Sequence, residues 1–162
     1  MFTMVLMAKA NTTLSLKAKF WFIMTFLGIA LGMCAELTRG FLEIYPLSNT
    51  LYKIITLLEF IITPMLPIPL SIACGIKKTV VPVSILMGFH GLLEIILLNT
   101  GLIFSVSGNS VYHRGQFYII YITSYIISLI YLIVVFFFIS KRFKNRNSFV
   151  FVASLIVIFA LM

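Results

Sequence analysis

Five apolar stretches constrain the fold of this chain more than any other feature of its sequence. A helix needs roughly 20 apolar residues to cross the hydrocarbon core of a bilayer, and most of the stretches reach or approach that length. They cover residues 20–42, 51–75, 80–104, 117–140 and 148–162. We therefore predict an all-α fold, a polytopic transmembrane bundle of about five helices that forms one domain over residues 1–162.

The composition excludes an ordinary soluble domain. Hydrophobic residues make up 62% of the chain and charged residues 10%, against roughly 45–50% and roughly 25% in soluble domains. The lipid bilayer is therefore the expected partner. The net charge of +8 comes mainly from short segments between the apolar stretches, which is typical of cytoplasmic loops. We expect no nucleic-acid partner.

The distribution of basic residues predicts the orientation in the membrane. Nine of the twelve lie before the first stretch, between the second and third, or between the fourth and fifth. The opposite side keeps Arg39, Lys53 and Arg114. Because excess Lys and Arg mark cytoplasmic loops, we expect a multi-pass protein of the cell membrane whose N-terminal segment and Lys141–Arg146 loop are cytoplasmic.

Both ends of the sequence predict a fragment of a longer protein. Residues 148–162 would rise only about 22 Å as a helix, less than the hydrocarbon core of roughly 30 Å, so the last helix is expected to be truncated. Residues 1–8 are apolar but too short to span, and no basic segment precedes them as in a signal peptide. They fit the remnant of an earlier helix.

Charged residues in the first apolar stretch form a local pattern. Glu36, Arg39 and Glu43 follow i, i+3 and i+4 spacing, which predicts an arginine between two carboxylates on one helical face. The same face carries Gly28 and Gly32, a G-x-x-x-G pair that favours close approach of another helix. Such pairs also occur by chance in apolar helices.

A second polar group joins the second and third stretches. Glu59 and Glu94 are expected at similar depth, with His90 one turn from Glu94, so all three are predicted to share one pocket in the outer half of the membrane. Two carboxylates there would favour sharing a proton. Three interpretations stay open. In the first, the three side chains only bond to one another and fix the helix packing. In the second they line a cavity that senses a small molecule or a proton, and in the third they form a catalytic or metal site. No zinc-ligand pattern supports the last one, and we expect no metal or cofactor.

Prolines and tyrosines mark two further features. A broken helix is predicted at Pro64, Pro67 and Pro69, because each proline removes a backbone hydrogen-bond donor. The break either acts as a hinge that lines a ligand site or only curves the helix so that it packs against its neighbours. Hydroxyl groups recur at helical spacing on the fourth stretch, and we favour interhelical hydrogen bonds as their role. This stripe comprises Tyr118, Tyr121, Tyr125 and Ser128. The candidates for sensing a ligand or a proton are Glu36, Arg39, Glu59, His90, Glu94, Tyr121 and Tyr125.

The segments VYHRGQFYIIY at 111–121 and SKRFKNRN at 140–147 give the chain a family resemblance. It resembles the N-terminal multi-helix membrane sensor region of bacterial GGDEF diguanylate cyclases, which is related to the N-terminal seven-helix region of histidine kinases. The matching motif residues are Tyr112, Arg114, Gly115 and Tyr118. The chain departs from the family at Gln116, where we expect proline, and at Ile119, where we expect tryptophan.

The resemblance implies a sensory or anchoring region of a signal-transduction protein. Its catalytic domain would follow the last span, so this chain itself is not expected to be an enzyme. A homodimer and an unknown small-molecule signal are implied partners. The main alternative is a small multi-pass transporter or channel subunit, because a proline-broken helix beside polar groups is also expected there. A structural or assembly role is a third possibility.

Overall fold

Five helices and one hairpin make up the computed structural model, which describes residues 15–45, 47–76, 78–108 and 111–142. The elements are α1 (Leu16–Ile44), α2 (Asn49–Met65), α3 (Pro67–Ala73), α4 (Val80–Leu97), β1 (Phe104–Ser107), β2 (Val111–Arg114) and α5 (Tyr118–Arg142). The predicted helical fold class is confirmed, with a two-stranded sheet in addition. The fifth predicted span, 148–162, lies outside the described residues.

Four helical units in the described part of the chain are long and apolar enough to cross a membrane. They are α1, the consecutive pair α2 and α3, α4, and α5. Serine residues fix the starts of the first two: Ser15 accepts from the Ala18 amide at 3.2 Å and Ser48 from the Leu51 amide at 3.4 Å. Serine favours this position because its hydroxyl satisfies an amide that has no partner within the helix.

The break between α2 and α3 falls at the predicted prolines. Pro64 lies inside α2 and cannot donate to the Phe60 carbonyl, which instead meets His90 Nε2 at 3.2 Å. The Pro64 carbonyl accepts from Ser128 Oγ at 3.0 Å. Side chains of α4 and α5 therefore complete the backbone hydrogen bonding of the broken helix, as the apolar surroundings require.

Helix α4 is shorter than predicted. The apolar stretch was expected to continue as a helix to Phe104, but α4 ends at Leu97. The Thr100 hydroxyl donates to the Leu97 carbonyl at 2.7 Å and accepts from the Leu102 amide at 3.3 Å. Gly101 follows with φ of 72°, a conformation that glycine adopts without a steric penalty. The turn thus redirects the chain before the apolar run ends.

An antiparallel hairpin follows this turn. Phe104 pairs with Arg114 and Ser107 with Val111. The Gly115 amide then donates to the Ile103 carbonyl at 2.8 Å. A Cβ at Gly115 would lie 2.1 Å from the Leu102 carbonyl oxygen, so only glycine fits this close approach.

The consecutive helices α2 and α3 occupy the centre of the bundle and contact α1, α4 and α5. A Cβ at Gly28 would lie 2.6 Å from Leu66 Cδ2, so the predicted close approach of α1 through Gly28 is present. One buried apolar cluster joins α1, the α2–α3 break and α5. A second cluster forms where the hairpin meets α2, around Phe60, Ile103 and Phe104. The hairpin thereby covers one end of the bundle, which we call the hairpin end.

Candidate ligand-binding pocket

A cavity of about 270 Å³ opens at the hairpin end of the bundle. Helices α1, α2 and α5 and strand β2 all contribute to its wall. The lining residues are Arg39, Glu43, Tyr52, Glu59, Phe60, Tyr112, Arg114, Tyr118 and Tyr121. Four of them are charged and five are aromatic, so the pocket combines ionic groups with ring faces.

An ion pair between α1 and α2 forms one side of the pocket. Arg39 Nη1 lies 2.8 Å from Glu59 Oε2, and the two side chains are 26% and 15% exposed. The expected pairing of Arg39 with Glu36 and Glu43 on its own helix is replaced by this interhelical contact. Both glutamates remain near enough to interact electrostatically with Arg39, but Glu36 is exposed. The arginine instead neutralises the carboxylate that lies within the bundle.

A second contact joins the same two helices. The Tyr52 hydroxyl donates to Glu43 Oε1 at 2.6 Å, and the Tyr52 side chain is fully buried. Hydrogen bonds to ionised groups are among the stronger ones in proteins. Together the two contacts join α1 to α2 at the cavity.

Aromatic rings form another part of the pocket wall, which we call the aromatic wall. Tyr121 stacks on Phe60 with ring centroids 3.8 Å apart and an interplanar angle of 8°. The guanidinium carbon of Arg114 lies 4.9 Å from the centre of the Tyr118 ring, within the range of a cation–π contact. From the hairpin, Tyr112 faces Tyr52 with ring centroids 6.5 Å apart.

The Tyr112 hydroxyl is a buried polar group of this wall. Burial is the largest cause that raises the pKa of Tyr112, and the nearby Tyr118 adds to the effect. Within the described part of the chain the hydroxyl oxygen has no hydrogen-bond partner of normal geometry.

His90 and Glu94 do not line this pocket, although the His90 ring lies beside the ring of the pocket residue Tyr121, with centroids 6.4 Å apart. The prediction that they share one cavity with Glu59 is not met, because neither lines the pocket and Glu59 pairs with α1. Helix α4 instead approaches α2 at Phe60 and Ile61.

The enclosed pair on α4 has few partners of its own. Glu94 is completely buried, and neither carboxyl oxygen has a hydrogen-bond partner among the described residues. His90 Nε2 lies 3.8 Å from Glu94 Oε1, too far for a hydrogen bond, and instead holds the Phe60 carbonyl. Glu59 and Glu94 therefore have different surroundings, while His90 lies next to the pocket residues Phe60 and Tyr121.

The tyrosine stripe divides between the pocket and the packing interface. Tyr118 and Tyr121 line the cavity, whereas Tyr125 stacks beyond Tyr121 with ring centroids 6.3 Å apart. Ser128 is buried and makes the interhelical hydrogen bond that we favoured for this stripe. The family-motif residues Tyr112, Arg114 and Tyr118 all line the pocket.

Sequence reasoning did not single out Tyr52 or Phe60, and it gave Glu43 a different partner. One available signal was the spacing of Tyr52, Thr56 and Glu59, which follows i, i+4 and i+7. Residues at these positions share one helical face. That face could have been identified as polar, but the sequence does not say which helix lies opposite.

No protein-family model, curated protein or solved structure matches this chain. The resemblance to GGDEF sensor regions therefore remains a prediction from the motif residues.

Proposed function

We propose that this chain is the membrane-embedded sensory region of a bacterial signal-transduction protein, and that it binds a small polar molecule in the pocket at the hairpin end. The observation that carries the proposal is the construction of the pocket from four separate elements. A molecule held there touches α1, α2, β2 and α5 at once. Its affinity must therefore depend on how these elements are placed relative to one another.

This dependence is what a sensor needs. A ligand shifts a conformational equilibrium only when it binds one state better than the other. Helix α5 carries Tyr118 and Tyr121 at the pocket and runs to Arg142, where the basic segment 141–146 begins. A change in the position of α5 at the hairpin end would reach whatever follows that segment.

The size and polarity of the cavity indicate the kind of ligand. Sites for drug-sized ligands enclose roughly 300–1,000 Å³, and this pocket encloses about 270 Å³. A molecule of metabolite size fits better than a large or purely apolar one. The resemblance adds a cyclic-dinucleotide-forming output domain and a homodimer to the proposal, since two diguanylate cyclase subunits must meet to react.

The proposal also places the pocket on the outer face of the membrane, on the basis of the basic-residue bias. Two exposed residues provide matched positions for single cysteines: Ser107 on the hairpin and Lys78 between α3 and α4. The native Cys34 and Cys74 are replaced first. A membrane-impermeant maleimide should label Ser107→Cys in intact cells and Lys78→Cys only after permeabilisation. The reverse pattern would contradict this orientation.

The sensory role itself is tested by the gene. Reading past codon 162 should reveal an in-frame signalling domain after the fifth predicted span. A stop codon at that point, together with natural expression of the short product, would contradict the proposal.

A transporter subunit is the second candidate, favoured by one observation. Helix α4, which carries the buried carboxyl Glu94, contacts the helix that is broken at Pro64 and Pro67. Discontinuous helices beside intramembrane acids occur in ion-coupled transporters. Proton flux into proteoliposomes, measured with an internal pH dye, tests this candidate. Flux that is lost in Glu94→Gln supports transport, and flux equal to that of empty liposomes contradicts it.

A further inference from the structure

The pocket at the hairpin end presents opposite charges in equal number. Its charged residues are Arg39 and Arg114, which are cationic, and Glu43 and Glu59, which are anionic. The formal charge of the wall is therefore balanced. A ligand with a net charge of either sign meets two like charges, and juxtaposed like charges reduce affinity.

The charged groups keep unused hydrogen-bonding capacity. A guanidinium group carries five N–H donors, and the ion pair with Glu59 engages one nitrogen of Arg39. Glu43 uses one oxygen to accept from Tyr52, which leaves the other oxygen as an acceptor. The pocket therefore offers a donor group for a carboxylate and an acceptor group for an ammonium.

The aromatic wall adds a second means of binding a cation. Arg114 already lies over the Tyr118 ring at 4.9 Å, which shows that a ring of this wall accepts a cation at its face. The rings also provide apolar surface, as in the parallel stack of Phe60 and Tyr121. An ammonium group attached to a small apolar body matches both properties.

A purely apolar ligand does not match the wall. It would cover the charged groups and displace the water that hydrogen-bonds to them, without offering hydrogen bonds in return. Burying polar groups without hydrogen-bond partners costs free energy. A ligand with both charges compensates both kinds of group at once.

We propose that the pocket binds a small zwitterion of the α-amino-acid type with an apolar side chain. Its carboxylate lies beside Arg39 and Arg114, and its ammonium group lies beside Glu43 and the tyrosine rings. This inference rests on the proposed function, because it names the ligand class of the same sensory pocket.

The test uses the full chain in lipid nanodiscs and three amino acids of increasing size: alanine, leucine and phenylalanine. Each is compared with its deaminated acid and its decarboxylated amine, which for leucine are 4-methylpentanoate and 3-methylbutylamine. Equilibrium dialysis should show that at least one amino acid binds tenfold or more tightly than either of its one-charge analogues. An analogue that binds as tightly as its amino acid, or no saturable binding by all three amino acids, overturns the proposal.

Two variants assign the poles of the ligand. Arg114→Gln should weaken amino-acid binding about tenfold while leaving the weak binding of the amine unchanged, whereas Glu43→Gln should weaken amino-acid and amine binding alike. Lys53→Gln and Glu94→Gln are the matched controls, because neither residue lines the pocket. Equal losses in the variants and their controls would contradict the assignment.

Failure of this proposal is distinguishable from failure of the sensory role. If no amino acid binds and the gene encodes a downstream signalling domain, the ligand class is wrong and the sensory role stands. If an amino acid binds and the gene encodes no such domain, the pocket is correctly assigned and the sensory role is wrong.

Discussion

Two glutamates of the bundle, Glu59 and Glu94, lie in very different surroundings. Glu59 pairs with Arg39 at 2.8 Å, keeps 15% of its side chain exposed and faces the pocket. Glu94 is fully enclosed and has no hydrogen-bond partner among the described residues. The first belongs to an accessible, charge-balanced site, and the second belongs to the closed contact of α4 with the broken helix.

The difference assigns different roles to the two sites. A buried charge whose partner is removed costs far more than the pair itself contributes, so the Glu59 site depends on its arginine. The Glu94 site holds no such pair to break. Its neighbour His90 instead serves the backbone of α2. The ligand-binding role therefore falls to the Glu59 site.

The largest expected effect comes from Arg39→Met. This change leaves the Glu59 carboxylate without its counter-charge and should lower the free energy of unfolding by roughly 3 kcal/mol. That value is near the low end for buried ion pairs because both side chains are partly exposed. Unfolding in mixed detergent micelles measures the loss. The double variant Arg39→Met with Glu59→Gln should recover most of it. A double variant as unstable as the single one would show that the ion pair is not the cause.

His90→Phe should have the next largest effect. It removes the donor that meets the Phe60 carbonyl, and an unsatisfied buried carbonyl costs roughly 2 kcal/mol. Pro64→Ala supplies the missing backbone amide, so the same histidine change should cost clearly less in that background. Equal costs in the two backgrounds, measured by the same unfolding assay, would contradict the role that we give to His90.

Tyr52→Phe should cost roughly 1 kcal/mol, because it removes one hydrogen bond to Glu43 and keeps the buried ring. Tyr125→Phe is the matched control, since Tyr125 lies outside the pocket. A larger loss for the control than for Tyr52→Phe would argue against the Glu43 contact as a link between α1 and α2.

Glu94→Gln should lower the free energy of unfolding least, by under about 1 kcal/mol. The amide has the same shape as the carboxyl, and the carboxyl oxygens make no hydrogen bond among the described residues that the change could remove. Glu59→Gln should cost more in the same assay, since it weakens the contact with Arg39. The opposite order of the two variants would remove the distinction between the two sites.

Much of the fold could be predicted because its signals are local. The lengths of the apolar stretches predicted the four helical units, and Pro64 and Pro67 predicted the break in the second unit. Two features were missed. The first is the polar turn at Thr100 and Gly101, which ends α4 inside an apolar run. The second is the hairpin, because its strands are too short for an alternation of apolar and polar residues to identify them.

The candidate site was predictable only in part. Glu59 was predicted to face an interior pocket, and Arg39 and Tyr121 were candidate sensing residues; all three line the cavity. Their partners could not be derived, because spacing along one helix favours contacts within that helix, whereas Arg39 is satisfied across α1 and α2. The separation of Glu59 from Glu94 depends on which face of α2 each neighbouring helix covers, and the sequence does not state this.

The accessibility of positions 59 and 94 to a charged reagent distinguishes an open pocket from a closed interior. Single cysteines at Glu59→Cys and Glu94→Cys, in a chain with Cys34 and Cys74 replaced, can be treated with a negatively charged methanethiosulfonate that Arg39 would attract. We predict rapid modification at position 59 and little or none at position 94. Modification at position 94 as fast as at position 59 would contradict the separation of an open pocket from a closed interior.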